Sequence, residues 1–212
     1  NTTILAAAKV AGRLHNRMTV GFLDAVTRRE MADVMVEDAS GRRFFSREAE
    51  PLSNYLVGRA RRDYKDGNYR FGMILTSVDR FTDDSLALDR LPGHARGLGF
   101  DWDMNWKNRT YSFAGQYALS DVRGSESSIL RLQRSSARYF QKPDREHGGN
   151  GLFSDSYDLD AGRMSGYGGY ARVAKDAGEW IWESSVNYRS PGFEVNDIAF
   201  LTRSDYFWHN VN

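Results

Sequence analysis
The chain contains no cysteine, which excludes a disulfide framework and any cysteine-ligated metal site and is compatible with a bacterial envelope protein. It has almost no net charge, +1 at pH 7, so no bulk electrostatic argument points to a nucleic-acid partner, and none is expected. It also lacks a long apolar run. A membrane-spanning helix needs about 20 predominantly apolar residues, and the longest run, Ile4 to Ala8, stops at Lys9. Charged residues make up 27% and the mean hydropathy is −0.61, too polar for a membrane protein built of helices. A transmembrane barrel escapes that limit, because alternate residues of its strands face a wet lumen.

What is present favours strands. Aromatic residues make up 13% of the chain and there are 20 glycines, a better fit to a β-rich chain than to a helical one. The clearest segment spans residues 95–121. Leu98, Phe100, Trp102, Met104 and Trp106 alternate with Gly97, Gly99, Asp101, Asp103 and Asn105. After the turn Lys107-Asn108-Arg109, alternation resumes with Tyr111, Phe113, Tyr117 and Leu119. Successive side chains on a strand point to opposite faces, so this is a hairpin with one aromatic, apolar face and one polar face.

Period-two segments bounded by turn residues give about nine strands in the chain. The first is expected over Ile4–Leu14 and the second from Met18 to as far as Glu37. The turn Asp38-Ala39-Ser40-Gly41 leads into a third, Arg43–Tyr64. Lys65-Asp66-Gly67-Asn68 is an Asp-Gly hairpin signal and opens the fourth. The 95–121 hairpin supplies the fifth and sixth, Ser165–Ala174 and Glu179–Arg189 the next pair, and Val195–Tyr206 the last. Short turns follow strands one, three, five and seven, and longer connections lie between, an asymmetry found in bacterial outer-membrane barrels. In the longest irregular stretch, 123–163, Leu130, Gln133, Arg134 and Ala137 fall at helical spacing behind Ser125, which predicts a short helix in that loop.

The expected fold is therefore all-β: an antiparallel meander forming an interior section of a transmembrane β-barrel. The chain starts at Asn1 rather than Met, inside what looks like a strand, and ends in Trp208-His209-Asn210-Val211-Asn212 with no stop signal, so residues 1–212 are expected to be a partial barrel domain, a fragment of a longer protein. Trp102, Trp106, Tyr111 and Trp180 are the candidate membrane-interface aromatics. Lys9, Arg13, Arg59, Arg61, Asp101, Asp103 and Glu183 are the candidate lumen or ligand residues, joined on that surface by Asp63. Rings of such charge set selectivity or bind a ligand. The plainer alternative is that they neutralise one another across neighbouring strands.

Catalytic signals are sparse. His15, His94, His147 and His209 are scattered over turns and loops, without metal-ligand spacing. There is no Gly-x-Ser-x-Gly elbow. Gly166-Tyr167-Gly168-Gly169 sits in a strand pattern with no helix after it, so glycines facing neighbouring strands are a better account than a phosphate loop. No cofactor is expected. Calcium is the one metal considered, in loops carrying Asp79, Asp83, Asp84 and Asp89 or Asp155, Asp158 and Asp160, with no EF-hand spacing to support it.

Four segments resemble a family of bacterial outer-membrane barrel proteins of largely unassigned function. They are Gly21–Thr27 with Arg29-Glu30, Glu50–Tyr55, Leu132–Phe140 and Arg189–Asp197. Members typically carry an N-terminal domain like the family-nine carbohydrate-binding modules ahead of a long barrel. The resemblance implies a bacterial outer-membrane location, lipid as a partner, and glycan or small-molecule cargo, and it supplies no catalytic residues. Charge complementarity further suggests that Arg134 and Arg138 pair with Glu194, Asn196 and Asp197 to hold the long loop on the barrel wall. The expected role is passage, binding or surface attachment rather than catalysis. The alternative is a soluble all-β glycan-binding domain or a hydrolase with its site on the loops.

Overall fold
The computed structural model describes residues 2–38, 41–142 and 153–212. Nine strands form one antiparallel sheet: β1 (Ile4–Arg13), β2 (Met18–Thr27), β5 (Leu52–Tyr64), β6 (Tyr69–Phe81), β7 (His94–Trp106), β8 (Tyr111–Arg123), β9 (Arg163–Lys175), β10 (Trp182–Arg189) and β11 (Tyr206–Val211). The remaining two, β3 (Glu30–Asp38) and β4 (Gly41–Glu50), form a separate two-stranded ladder. Among the described residues two short α-helices, α1 (Ser85–Arg90) and α2 (Glu126–Gln133), and a 3-10 turn, Lys65–Gly67, lie in the connections. Among the described residues β1 pairs only with β2 and β11 only with β10. The sheet is an open meander with two unpaired edges.

The expected second and third strands are each broken in two. Pro51, which has no N–H to donate, separates β4 from β5. Opposite it, Arg28 and Arg29 separate β2 from β3, and Arg29 pairs with the buried Glu48 at 3.2 Å. The last strand is also displaced. Residues 195–205 form no strand, and β11 begins only at Tyr206, after Asp205 takes a left-handed φ of 59°. That stretch lacks period-two alternation, and its backbone is used in a loop instead. The helix expected within 125–140 is present but shorter; the Ser125 side chain caps it by accepting from Ser128 N at 3.2 Å. The connection between β6 and β7, read as a polar loop, contains α1.

Strand register separates the two faces of the sheet. One row runs Phe22, Gly58, Leu75, Leu98, Leu119, Tyr167 across six neighbouring strands. The next runs Val20, Ala60, Met73, Phe100, Tyr117. The middle of this apolar face is bare: Phe71, Met73, Leu75 and Phe100 are 45%, 45%, 47% and 42% exposed; at its loop end Phe153 packs edge-on against Tyr167. From Leu98 to Trp106 the band extends about 27 Å along β7 at roughly 3.4 Å per residue.

The other face carries the polar alternates and is the one that the loops cover. Near the long connections its row Tyr55, Val78, Ala95, Val122, Met164 is apolar and packs beneath Ile129 and Leu132 of α2, with Phe140 and Tyr157. This small core holds α2 and its loop onto the sheet. Among the described residues no helix is long and apolar enough to cross a membrane, which says nothing of strands.

Candidate functional site
Below that core, the segment between β10 and β11 folds back over the polar face. Ser190 N donates to Tyr167 O at 2.8 Å, tying the start of the segment to β9 just beyond the end of β10. Glycine permits the approach. A Cβ on Gly166 would stand 2.1 Å from Phe193 N, and one on Gly192 would stand 2.2 Å from Ser165 O. The segment is then locked by charge. Arg138, which follows α2, pairs with Glu194, and the side chains are 2% and 3% exposed. Arg138 also donates to Phe193 O at 2.9 Å. Burial pulls the Arg138 pKa below the usual arginine value, against the opposing influence of the Glu194 carboxylate. Glu194 Oε1 accepts from Asn196 N at 2.6 Å, and Ser120 Oγ accepts from Glu194 N at 2.9 Å.

Beneath the folded segment lies a cavity of about 430 Å³, between Val195–Ala199 and the sheet. Its floor is shallow because Gly97, Gly99, Ala118 and Gly168 present little side chain there. Polar groups converge at its margin: the Arg59–Asp101 pair, Gln116, Tyr170, Asn187 and Arg189. Neither a paired acid and base nor a nucleophile with a base is formed by these groups. The arrangement can hold a small polar molecule through hydrogen bonds, with Tyr170 available as a flat apolar surface.

The turn end of the same face carries an ion-pair ladder. Arg13 and Arg61 approach Asp63 at 3.9 and 3.5 Å. Arg59 pairs with Asp101 and Arg70 with Asp103. Arg172 reaches Glu183 at 2.8 Å and Asp176 at 2.9 Å. In the turn after β9, the Ser112 hydroxyl and then Arg172 hold the Asp176 carboxyl below the usual aspartate range.

The register thus brings Arg13, Arg59, Arg61, Asp101, Asp103 and Glu183 onto one face, and pairs most of them across strands. Lys9 shares the face on the edge strand and has no ion pair among the described residues. Arg70, Arg172 and Asp176 were not singled out from the sequence. Arg70 was legible as the polar alternate between Tyr69 and Phe71; Arg172 and Asp176 needed the β8–β9 register. Of the loop cluster, Arg138, Glu194 and Asn196 come together. Asp197 instead pairs with Arg80 at 2.5 Å, and Arg134 donates to Tyr157 Oη at 2.8 Å.

Among the candidate aromatics, Trp106 and Tyr111 stack at 5.8 Å beside the Lys107–Thr110 turn. Trp180 lies in the turn before β10 and is 79% exposed. Trp102 lies two rows deeper in the apolar band, against Phe113 at 5.6 Å, rather than at its margin. His147 falls outside the described residues. Among the described residues no three His, Asp or Glu side chains gather as a metal ion would require.

The domain-of-unknown-function model DUF5916 matches residues 1–212. The chain belongs to that family. A search of curated proteins found no match, nor did a search of solved structures. Membership in this family assigns no chemistry to the polar face, so its reading rests on the geometry above.

Proposed function
We propose that this chain is a section of a bacterial outer-membrane β-barrel whose apolar face meets lipid and whose polar face lines a lumen. The returning segment narrows that lumen, and the module binds or passes a small polar cargo without catalysing a reaction. One observation carries the reading. The sheet leaves its apolar face bare from Phe71 to Phe100, with Phe153 touching it only at Tyr167, and folds α2 and the 190–205 segment onto its polar face, the reverse of a sheet that builds a soluble core. A strand tilted by about 35–45° converts the 27 Å band into roughly 20 Å of height, near the apolar band of such barrels. The two unpaired edges agree with further strands completing a cylinder, since an exposed edge otherwise invites aggregation.

Two charged residues on the apolar side of the sheet, Asp24 and Arg62, fit the same picture. Asp24, on the face of Phe22, lies beyond the band's upper row and accepts from Asn54 Nδ2 at 2.7 Å. Arg62, near the turn, sits over the Tyr64 ring at 4.8 Å and extends toward the band's lower margin. Glycan cargo follows only from the family resemblance, and the cavity's mix of Tyr170, Gln116 and Asn187 accommodates it. Those groups also support the second reading, a soluble glycan-binding domain. Phase partitioning and gel migration separate the two. The barrel reading predicts that the full-length protein requires detergent and migrates differently when unheated; solubility without detergent would overturn it. Flux of small sugars in liposomes then distinguishes passage from anchoring.

A further inference from the structure
On the apolar face, immediately beyond the row of Leu98, Leu119 and Tyr167, the surface turns cationic. Arg96 projects from β7, Arg123 from β8 and Arg163 from β9, and His94 adjoins them. Arg123 and Arg163 are directly opposite one another on neighbouring strands. Like charges in that relation repel. Among the described residues two carboxylates answer them. Asp79 accepts from Arg96 at 2.6 Å and contacts His94 Nδ1 at 2.7 Å, while Asp121 bridges the Nε atoms of Arg123 and Arg163. Three guanidiniums therefore share two carboxylates. The terminal nitrogens of both Arg123 and Arg163 have no hydrogen-bond partner among the described residues, and their side chains are 57% and 47% exposed.

Unused guanidinium forks suit an oxyanion with several acceptor oxygens, and phosphate is the group that they bind best. The bare hydrocarbon surface adjoining them on the same face selects the source. We propose that Arg123 and Arg163, with Arg96 beside them, form a site for the phosphate of a membrane lipid whose chains lie along Leu98 and Leu119. This inference rests on the barrel reading above and adds a lipid-specific contact to it.

The test reconstitutes the full chain into phosphatidylcholine vesicles containing a minor fraction of phosphatidic acid. Lipid retained after detergent extraction is measured by mass spectrometry, alongside the fraction of protein inserted. The expected result is enrichment of phosphatidic acid, lowered about tenfold or more in R123Q/R163Q and partly kept in R123K/R163K, with insertion unchanged in both variants. Insertion without enrichment, or equal enrichment in R123Q/R163Q, overturns the lipid site and leaves the barrel reading standing. Loss of enrichment on adding millimolar inorganic phosphate shows a site for free phosphate and overturns the lipid assignment. A chain that never enters the vesicles overturns the barrel reading, and the lipid site falls with it.

Discussion
The two faces of the nine-stranded sheet share every backbone hydrogen bond and differ in almost everything else. The apolar face has large side chains and few polar groups within its band, and among the described residues only Phe153 packs upon it, edge-on to Tyr167 at its loop end. The polar face has ion pairs at its turn end, a cavity at mid-height and a small core under α2 at the loop end. Hydrophobic burial in water would drive loops to the apolar face. The chain instead holds its loops on the polar face through specific polar contacts, Arg138–Glu194 and Arg80–Asp197 above all. The comparison teaches that the apolar face was not shaped to be covered by this chain, which is why the proposed partner is lipid.

The largest expected effect comes from unlocking the polar face. Arg138→Ala leaves the Glu194 carboxylate buried without its cation, a change that costs about 3–5 kcal/mol in comparable sites. Residues 190–205 should become sensitive to protease, and the unfolding midpoint should fall. Unchanged protection would mean that the segment is held by other contacts. An apolar pair at both positions should recover much of the loss, because a buried ion pair is often matched by well-packed hydrocarbon.

The same substitution on each face gives the sharpest contrast. Phe100→Arg places a cation in the apolar band and is expected to cost about 2–4 kcal/mol of folding in lipid. Gln116→Arg places one on the polar face, at the cavity margin, and should change stability by less than about 1 kcal/mol. Refolding titrations in lipid vesicles measure both. Equal tolerance would remove the distinction between the faces.

Gly166→Ala tests the close approach of the returning segment. The added Cβ meets the Phe193 backbone, an overpacking expected to cost about 1–3 kcal/mol and to loosen the same protease-resistant region as Arg138→Ala. Gly21→Ala, with nothing within 4 Å of the added carbon, is the control and should be nearly neutral. A neutral Gly166→Ala would place the segment farther from β9.

The smallest effect is at the turn end. Asp176 has its pKa lowered by the Ser112 hydroxyl and by Arg172. A carboxyl lowered in the folded state contributes stability above its unfolded pKa and loses it as pH falls through the folded value. The contribution therefore disappears only below the usual aspartate range. Ser112→Ala should move the Asp176 midpoint upward, as seen by its carboxyl carbon resonance; an unmoved midpoint would assign the shift to Arg172.

Much of the sheet was legible because side-chain alternation is a local property. The alternation in 98–119 placed β7, β8 and both of their faces, and Ser125 marked the start of α2. Pro51 marks the break before β5 just as locally, within the expected third strand Arg43–Tyr64. The polar surface was legible as a set of residues on one face, but their partners were not. Arg59 and Asp101 are 42 residues apart and meet through three strands in register.

The amino-acid sequence by itself determined the strands, their faces and the short turns, because period-two patterning and turn chemistry act over a few residues. Only the tertiary structure decided that Val195–Asp205 lies over the sheet rather than within it. It also decided that Arg138 meets Glu194 across 56 residues, and that three arginines line up beyond the apolar band. Those outcomes depend on register between distant strands and on the space that small residues leave open, which no local pattern encodes.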